Sequence, residues 1–194
     1  RNLADENGLW LIEDSCHAPG AYFFDEKNNK QMCGNGKYAD VGVFSFHPVK
    51  HIACGEGGMI TTNSKKIYKK ALMLRTHGIS KENMSENHGN WYYEMKDLGY
   101  NYRLTDFQSA LGISQLKKLK LFLKKRHDIS KIYNAGFENN NFIKIPKVLS
   151  SNKHAFHLYP VLIDFKKIKK TKKMFFNYLK RNNILPQVHY IPIF

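Results

Sequence analysis

The stretch that decides the fold is LWLIEDSCHA, residues 9–18. Its first four residues are an unbroken apolar run, which is typical of a strand buried on both faces of a parallel sheet. The run ends in Glu13 and Asp14. Open α/β sheets bind their ligands at the carboxyl ends of their strands, so the sequence predicts that this acidic pair borders a ligand site.

Two more strands are predicted close by, at residues 41–46 and 58–62. The connection between them carries Lys50 and the glycine-rich turn Gly55-Glu56-Gly57-Gly58. We expect this connection to lie at the same edge of the sheet as the acidic pair, because it follows directly after a strand.

Helices are predicted from their capping signals. Ser64 is suited to cap a helix that ends at His77-Gly78, where the glycine favours termination. Thr105 and Gln108 form the pattern of a capping box, which predicts a helix from there to about residue 126. A further helix is predicted over residues 129–137.

The pattern changes at about residue 140. Strands are predicted at residues 156–163 and 185–190, with a lysine-rich helix over residues 167–181 between them. This order of elements predicts a smaller α+β domain. We therefore expect residues 1–139 to belong to one domain and residues 140–194 to another.

Composition excludes several classes of protein. The chain has 194 residues, of which 42% are hydrophobic, so it is neither a disordered tail nor a disulfide-stapled miniprotein. Cys16, Cys33 and Cys54 lack the spacing of a structural zinc site and predict a reducing compartment. No apolar run approaches the roughly 20 residues of a membrane helix, and no signal peptide is visible. The expectation is a cytoplasmic protein without a metal or a membrane partner.

The net charge of +15 comes entirely from the second half of the chain. Residues 1–100 hold 12 Lys or Arg and 12 Asp or Glu, whereas residues 101–194 hold 19 and 4. A basic half raises the possibility of nucleic-acid binding. The lysines, however, are clustered in the way that is typical of solvent-exposed helix faces, and no nucleic-acid-binding motif accompanies them. The prediction is therefore that nucleic acid is not a partner.

Lys50 is the strongest candidate for chemistry. It lies in an almost uncharged stretch, and lysine is rarely buried without a partner. A desolvated lysine amine loses its proton more readily and then acts as a nucleophile or a Schiff-base former. The alternative is a lysine at the sheet edge with its amine in water.

Three further residues are candidates for a pyridoxal phosphate (PLP) site. Asp14 is suited to pair with a pyridine nitrogen, His17 to pack beside the ring, and Ser45 to contact a phosphate oxygen. Each also has an ordinary structural alternative: a turn aspartate, a packed histidine and a turn serine. The argument for a site rests on the order in which they occur.

Four motifs carry a family resemblance: IEDSCHA at residues 12–18, FSFHPVK at 44–50, GEGG at 55–58 and LGYNYRLTD at 98–106. Together they resemble the PLP-dependent nucleotide-sugar aminotransferases of the DegT/DnrJ/EryC1/StrS family. The resemblance implies a fold type I PLP-dependent transferase, with a mostly parallel sheet in a large domain and a small α+β domain. It also implies a homodimer with shared active sites.

The resemblance implies residue roles as well. Lys50 would be the Schiff-base lysine and Asp14 the partner of the pyridine nitrogen, with His17 beside the cofactor and Ser45 at its phosphate. Asn101 would reach the phosphate of the partner subunit's cofactor, and His189 would lie on the sugar-nucleotide side.

The implied reaction moves the amino group of L-glutamate to C4 of a UDP-linked 4-keto-6-deoxy-N-acetyl hexose. The alternatives are another nucleotide-linked ketosugar, or an inactive fragment of such an enzyme. Family members begin before Arg1 and continue beyond Phe194, so this chain is expected to lack the helix N-terminus that binds the cofactor phosphate. A related class of 3-dehydratases lacks the Schiff-base lysine, and Lys50 argues against it.

Overall fold

A computed structural model describes residues 1–80 and 88–193 of the chain. It contains short strands and longer helices. The strands are β1 Ile12–Asp14, β2 Tyr22–Phe24, β3 Lys30–Met32, β4 Val41–Ser45, β5 Gly58–Thr61, β6 Ile79–Ser80, β7 Glu94–Met95, β8 Ile143–Lys144, β9 Asn152–Lys153 and β10 Leu162–Ile163. The helices are α1 Asn2–Glu6, α2 Lys65–Arg75, α3 Asp106–Lys117, α4 Leu119–Phe137 and α5 Lys172–Arg181.

The sheet that positions the site has the order β1-β4-β5. β1 runs parallel to β4, with Asp14 beside Val43, and β5 returns antiparallel, with Gly58 beside Ser45. The carboxyl ends of β1 and β4 therefore meet at one edge of the sheet. The connection that carries Lys50 leaves from that edge and returns to it, as the sequence predicts.

The strand predicted at residues 9–12 is wrong in position and in burial. β1 begins at Ile12, and the residues Trp10 and Ile12 are 71% and 63% exposed. Asp40 accounts for the later start. Its Oδ2 accepts the N–H of Leu11 at 2.8 Å, and this bond sets the register between the segments that lead into β1 and β4. Within the described residues, β1 pairs with β4 alone, and one edge of the strand has no neighbour.

The predictions beyond residue 140 are only partly correct. Of residues 156–163, only Leu162–Ile163 form a strand, and the described residues 185–190 form none. Phe156 has a positive φ of 48°, which interrupts an extended chain, and Pro160 and Pro186 have no N–H to donate to a ladder.

The division into residues 1–139 and 140–194 stays a prediction. β10 pairs with β8, so these two strands both come from the second segment. β9 pairs with β2, however, and so hydrogen bonds link the second segment to the first.

The two N-cap predictions are confirmed. Ser64 Oγ accepts the N–H of Ile67, and the Thr105–Gln108 capping box forms with both of its reciprocal hydrogen bonds. α2 ends at Arg75 with Thr76 as its C-cap. His77, at φ +60°, and Gly78, at φ +69°, follow it, and the N–H of Gly78 bonds to Met73 O at 2.9 Å.

Two helix boundaries differ from the prediction. The predicted helix to residue 126 is divided at Lys118, whose N–H bonds three residues back to Gln115 O, and α4 then continues to Phe137. The lysine-rich helix starts at Lys172 rather than at 167, because Thr171 caps it there.

Many large apolar side chains of the described residues face outward. Phe107 on α3 is 91% exposed, and Leu111, Ile113 and Leu116 of the same helix are also exposed. No helix in the described part of the chain is long and apolar enough to cross a membrane.

Candidate active site

Asp14, at the end of β1, lies within electrostatic range of His17 and Lys50. Its Oδ1 accepts the backbone N–H of Cys16 at 3.0 Å, so it forms the turn that the alternative interpretation describes. Hydrogen bonds from Cys16, together with the nearby positive charges, lower the pKa of Asp14. The carboxylate is therefore ionised at neutral pH and suited to hold a proton on a ligand nitrogen.

Glu13, the other member of the acidic pair, has a structural task. Its Oε1 accepts hydrogen bonds from Ser15 Oγ and from the N–H of Gly34, both at 2.8 Å. Gly34 has a positive φ of 73°, and a Cβ there would lie 2.3 Å from the ring of Phe44. Glu13 thus holds a close backbone turn against the sheet and leaves Asp14 as the acid at the site.

Lys50 lies in the connection between β4 and β5 and is half-buried. Its N–H bonds to His47 O at 2.9 Å, which makes a turn before the buried residues His51 and Ile52. The positive charge of Lys50 acts on Asp14, Cys16 and His17. The structure thus brings the predicted nucleophile and the predicted acid into one site.

His17 and His189 also meet here. Their ring centroids are 6.3 Å apart, although 172 residues separate them in the chain. Burial, and the charges of Lys50 and His189, lower the pKa of His17. The imidazole of His17 is therefore neutral at physiological pH.

Ser45 and Asn101 are placed differently. Ser45 lies at the same sheet edge, and its Oγ accepts the N–H of His47 at 3.4 Å, as a turn serine does. Asn101 is exposed and forms a β-bridge with Thr76 at the end of α2. A role for Asn101 in a second subunit's site stays a prediction.

Sequence reasoning missed His157. Its ring lies 4.3 Å from that of His17 and 5.3 Å from that of buried His51. Burial is the main cause that lowers the pKa of His157 to about 4. Nearby basic groups lower it as well, and His17 has the largest effect among them. No motif near residue 157 marks it, since only folding brings it to the edge of the sheet.

These side chains suit PLP better than a metal ion. They include an ionised carboxylate, a lysine amine, a hydroxyl and neutral imidazoles. The Nδ1 atoms of His51 and His157 are buried and, among the described residues, have no hydrogen-bond partner. No group of three or more His, Cys, Asp or Glu in the described ranges is arranged to hold a metal ion.

Sequence comparison identifies related proteins. The model of the DegT/DnrJ/EryC1/StrS aminotransferase family matches residues 1–194. A UDP-4-amino-4,6-dideoxy-N-acetyl-beta-L-altrosamine transaminase of Campylobacter jejuni is 40% identical over 193 residues, which cover 100% of this chain and 48% of the relative. An uncharacterised protein of Methanocaldococcus jannaschii is 42% identical over 193 residues, covering 98% of this chain and 48% of the relative. The chain thus spans about half the length of the curated relatives it matches.

Solved structures of aminotransferases also resemble this chain. Helicobacter pylori PseC, an aminotransferase of pseudaminic acid biosynthesis, superposes with a TM-score of 0.83 at 35% identity, over 98% of this chain and 48% of that one. A sugar aminotransferase of Streptococcus pneumoniae in its PMP form has a TM-score of 0.81 at 27% identity, over 95% of this chain and 46% of its own. These neighbours confirm the predicted fold type I class.

Proposed function

The chain belongs to the DegT/DnrJ/EryC1/StrS aminotransferase family, and on that premise we propose that it forms part of a PLP-dependent nucleotide-sugar aminotransferase. The observation that carries the proposal is the meeting of Asp14, His17 and Lys50 at the edge of the β1-β4-β5 sheet. When bound, PLP would supply a carbonyl group and an electron-withdrawing ring, on which amino groups are exchanged.

Asp14 and Lys50 would divide the chemistry between them. The ionised carboxylate of Asp14 would hold a proton on the ring nitrogen of the cofactor. The amine of Lys50 would hold the cofactor covalently and, once displaced by an amino substrate, would move a proton at the substrate carbon. The two groups act on opposite ends of one ligand, so both are needed in one site.

The other predicted residues would orient ligands. The neutral ring of His17 would lie beside the cofactor, and Ser45 Oγ would donate to a phosphate oxygen. His189, 6.3 Å from His17 between ring centroids, would face the sugar nucleotide. Asn101 would complete the site of a second subunit, which makes a homodimer the expected assembly.

The proposed substrates are L-glutamate and a UDP-linked 4-keto-6-deoxy-N-acetyl hexose. Relatives that are 36% and 40% identical carry the name of the UDP-altrosamine transaminase, which supports this choice. A relative named GDP-perosamine synthase is 34% identical over 165 residues and supports a second candidate, another nucleotide-linked ketosugar. A cytoplasmic location, where both substrates are available, is part of the proposal.

The test is an assay of the purified full-length protein with PLP, L-glutamate and matched UDP- and GDP-linked 4-keto-6-deoxy sugars. We expect 2-oxoglutarate to form in equal amount to a 4-amino sugar, and fastest with the UDP-linked substrate. Faster turnover of the GDP-linked sugar would favour the second candidate. Loss of PLP absorbance after gel filtration, with no amino sugar formed, would contradict the proposal.

A further inference from the structure

The turn Ala155-Phe156-His157 packs against the candidate site from a distant part of the chain. Its three successive carbonyl oxygens all accept hydrogen bonds from side chains. His51 Nε2 donates to Ala155 O at 2.9 Å, and Arg126 Nη1 donates to Phe156 O and His157 O at 3.0 Å each. Ala155 is 1% exposed, so this turn is fixed within the protein.

The turn contains backbone strain. Phe156 has a φ of +48°, a conformation that is rare and unfavourable for a bulky residue. The hydrogen bonds from His51 and Arg126 hold it in place. His51 directly follows Lys50, and Arg126 lies on α4, so two separate elements position the same turn.

This fixed turn brings His157 against His17. The ring centroids are 4.3 Å apart and the ring planes are tilted by 53°. The titratable and charged groups that act on His157 are His17, His51, Lys50 and Arg126, which are all imidazoles or cations. A proton on His157 is therefore unfavourable. At His17, burial, Lys50 and His189 also disfavour a proton, whereas the carboxylate of Asp14 favours one.

We propose that His157 is a positioning residue: held by His51 and Arg126, its ring fixes the His17 imidazole and shields it from water, so that His17 stays uncharged beside Asp14. The benefit rests on the proposed function. A protonated His17 would form an ion pair with Asp14 and compete with the ring nitrogen of the cofactor for that carboxylate. An uncharged His17 leaves the carboxylate to the cofactor.

The test measures the His17 titration by NMR of the imidazole in the full-length, PLP-free protein. His157→Ala opens the ring of His17 to water, so the pKa of His17 should rise toward that of a free histidine. His157→Phe retains an aromatic ring against His17 and should keep the pKa low. His88→Ala is the control, because His88 packs on Tyr92 and not on the turn, and it should leave the His17 titration unchanged.

A second variant guards against misfolding of His157→Ala. Arg126→Gln keeps His157 but weakens its attachment, and it should move the His17 titration in the same direction. An unchanged His17 pKa in folded His157→Ala or Arg126→Gln protein would overturn the inference, as would an equal rise in His88→Ala. PLP binding by the wild-type protein, measured separately by absorbance, tests the proposed function and does not enter this readout.

Discussion

Lys50 and Asp14 lie at one sheet edge, but the proposed function gives them different chemical tasks, so their variants should fail differently. Lys50→Ala removes the amine that would hold the cofactor. It should abolish the visible absorbance of the bound cofactor and nearly all turnover, while circular dichroism stays unchanged. Lys50→Arg should do no better, because a guanidinium stays protonated and is no nucleophile.

Asp14→Asn is the variant to compare with those of Lys50. The amide still fills the turn and accepts a hydrogen bond, so covalent attachment of the cofactor should persist. Turnover should fall by about two orders of magnitude or more, because a neutral amide does not stabilise a protonated ring nitrogen. Borohydride reduction and peptide mapping give the direct check. An adduct on a lysine other than Lys50 would contradict both assignments.

At the scale of elements, the capping box of α3 should contribute measurably to the stability of the protein. Thr105 accepts the N–H of Gln108, and Gln108 Oε1 accepts the N–H of Thr105 at 2.9 Å. Gln108 Nε2 also donates to Glu56 O at 3.0 Å, which ties the helix to the glycine-rich turn that follows Lys50. Thr105→Ala should therefore lower the free energy of unfolding by about 1 kcal/mol in urea denaturation.

Thr171 is the matched control for this element. It caps α5 by accepting the N–H of Met174, but the position three residues on is a methionine and returns no hydrogen bond. Thr171→Ala should cost less than Thr105→Ala, and Thr105→Ser should cost little. Equal losses for the two alanine variants would show that the reciprocal bond of Gln108 adds no stability.

At the scale of the whole molecule, the prediction is a shared active site. Asn101 is exposed at the end of α2, where Tyr100 N–H bonds to Leu74 O at 2.7 Å and Tyr102 N–H to Arg75 O at 3.0 Å. Mixing full-length Lys50→Ala and Asn101→Ala chains should restore activity, because one site of the hybrid has both residues intact. Proven heterodimers without activity would contradict this.

The sequence by itself determined the local features of this protein. Ser64 and Thr105 begin helices as expected, because an N-cap depends on a side chain within a few residues of the backbone group that it bonds. The places of Asp14 and Lys50 followed in the same way, since Asp14 ends β1 and Lys50 lies in the connection after β4. Their chemical roles stay predictions. The family followed from motifs that lie along one stretch of chain.

Tertiary structure decided everything that depends on distant residues. The start of β1 is set by Asp40, and the predicted strand at residues 156–163 is broken by a turn that His51 and Arg126 hold. The same turn places His157 against His17, 140 residues away in the sequence. Propensity and periodicity report only neighbours along the chain, whereas a strained turn or a shielded imidazole depends on side chains that meet only after folding.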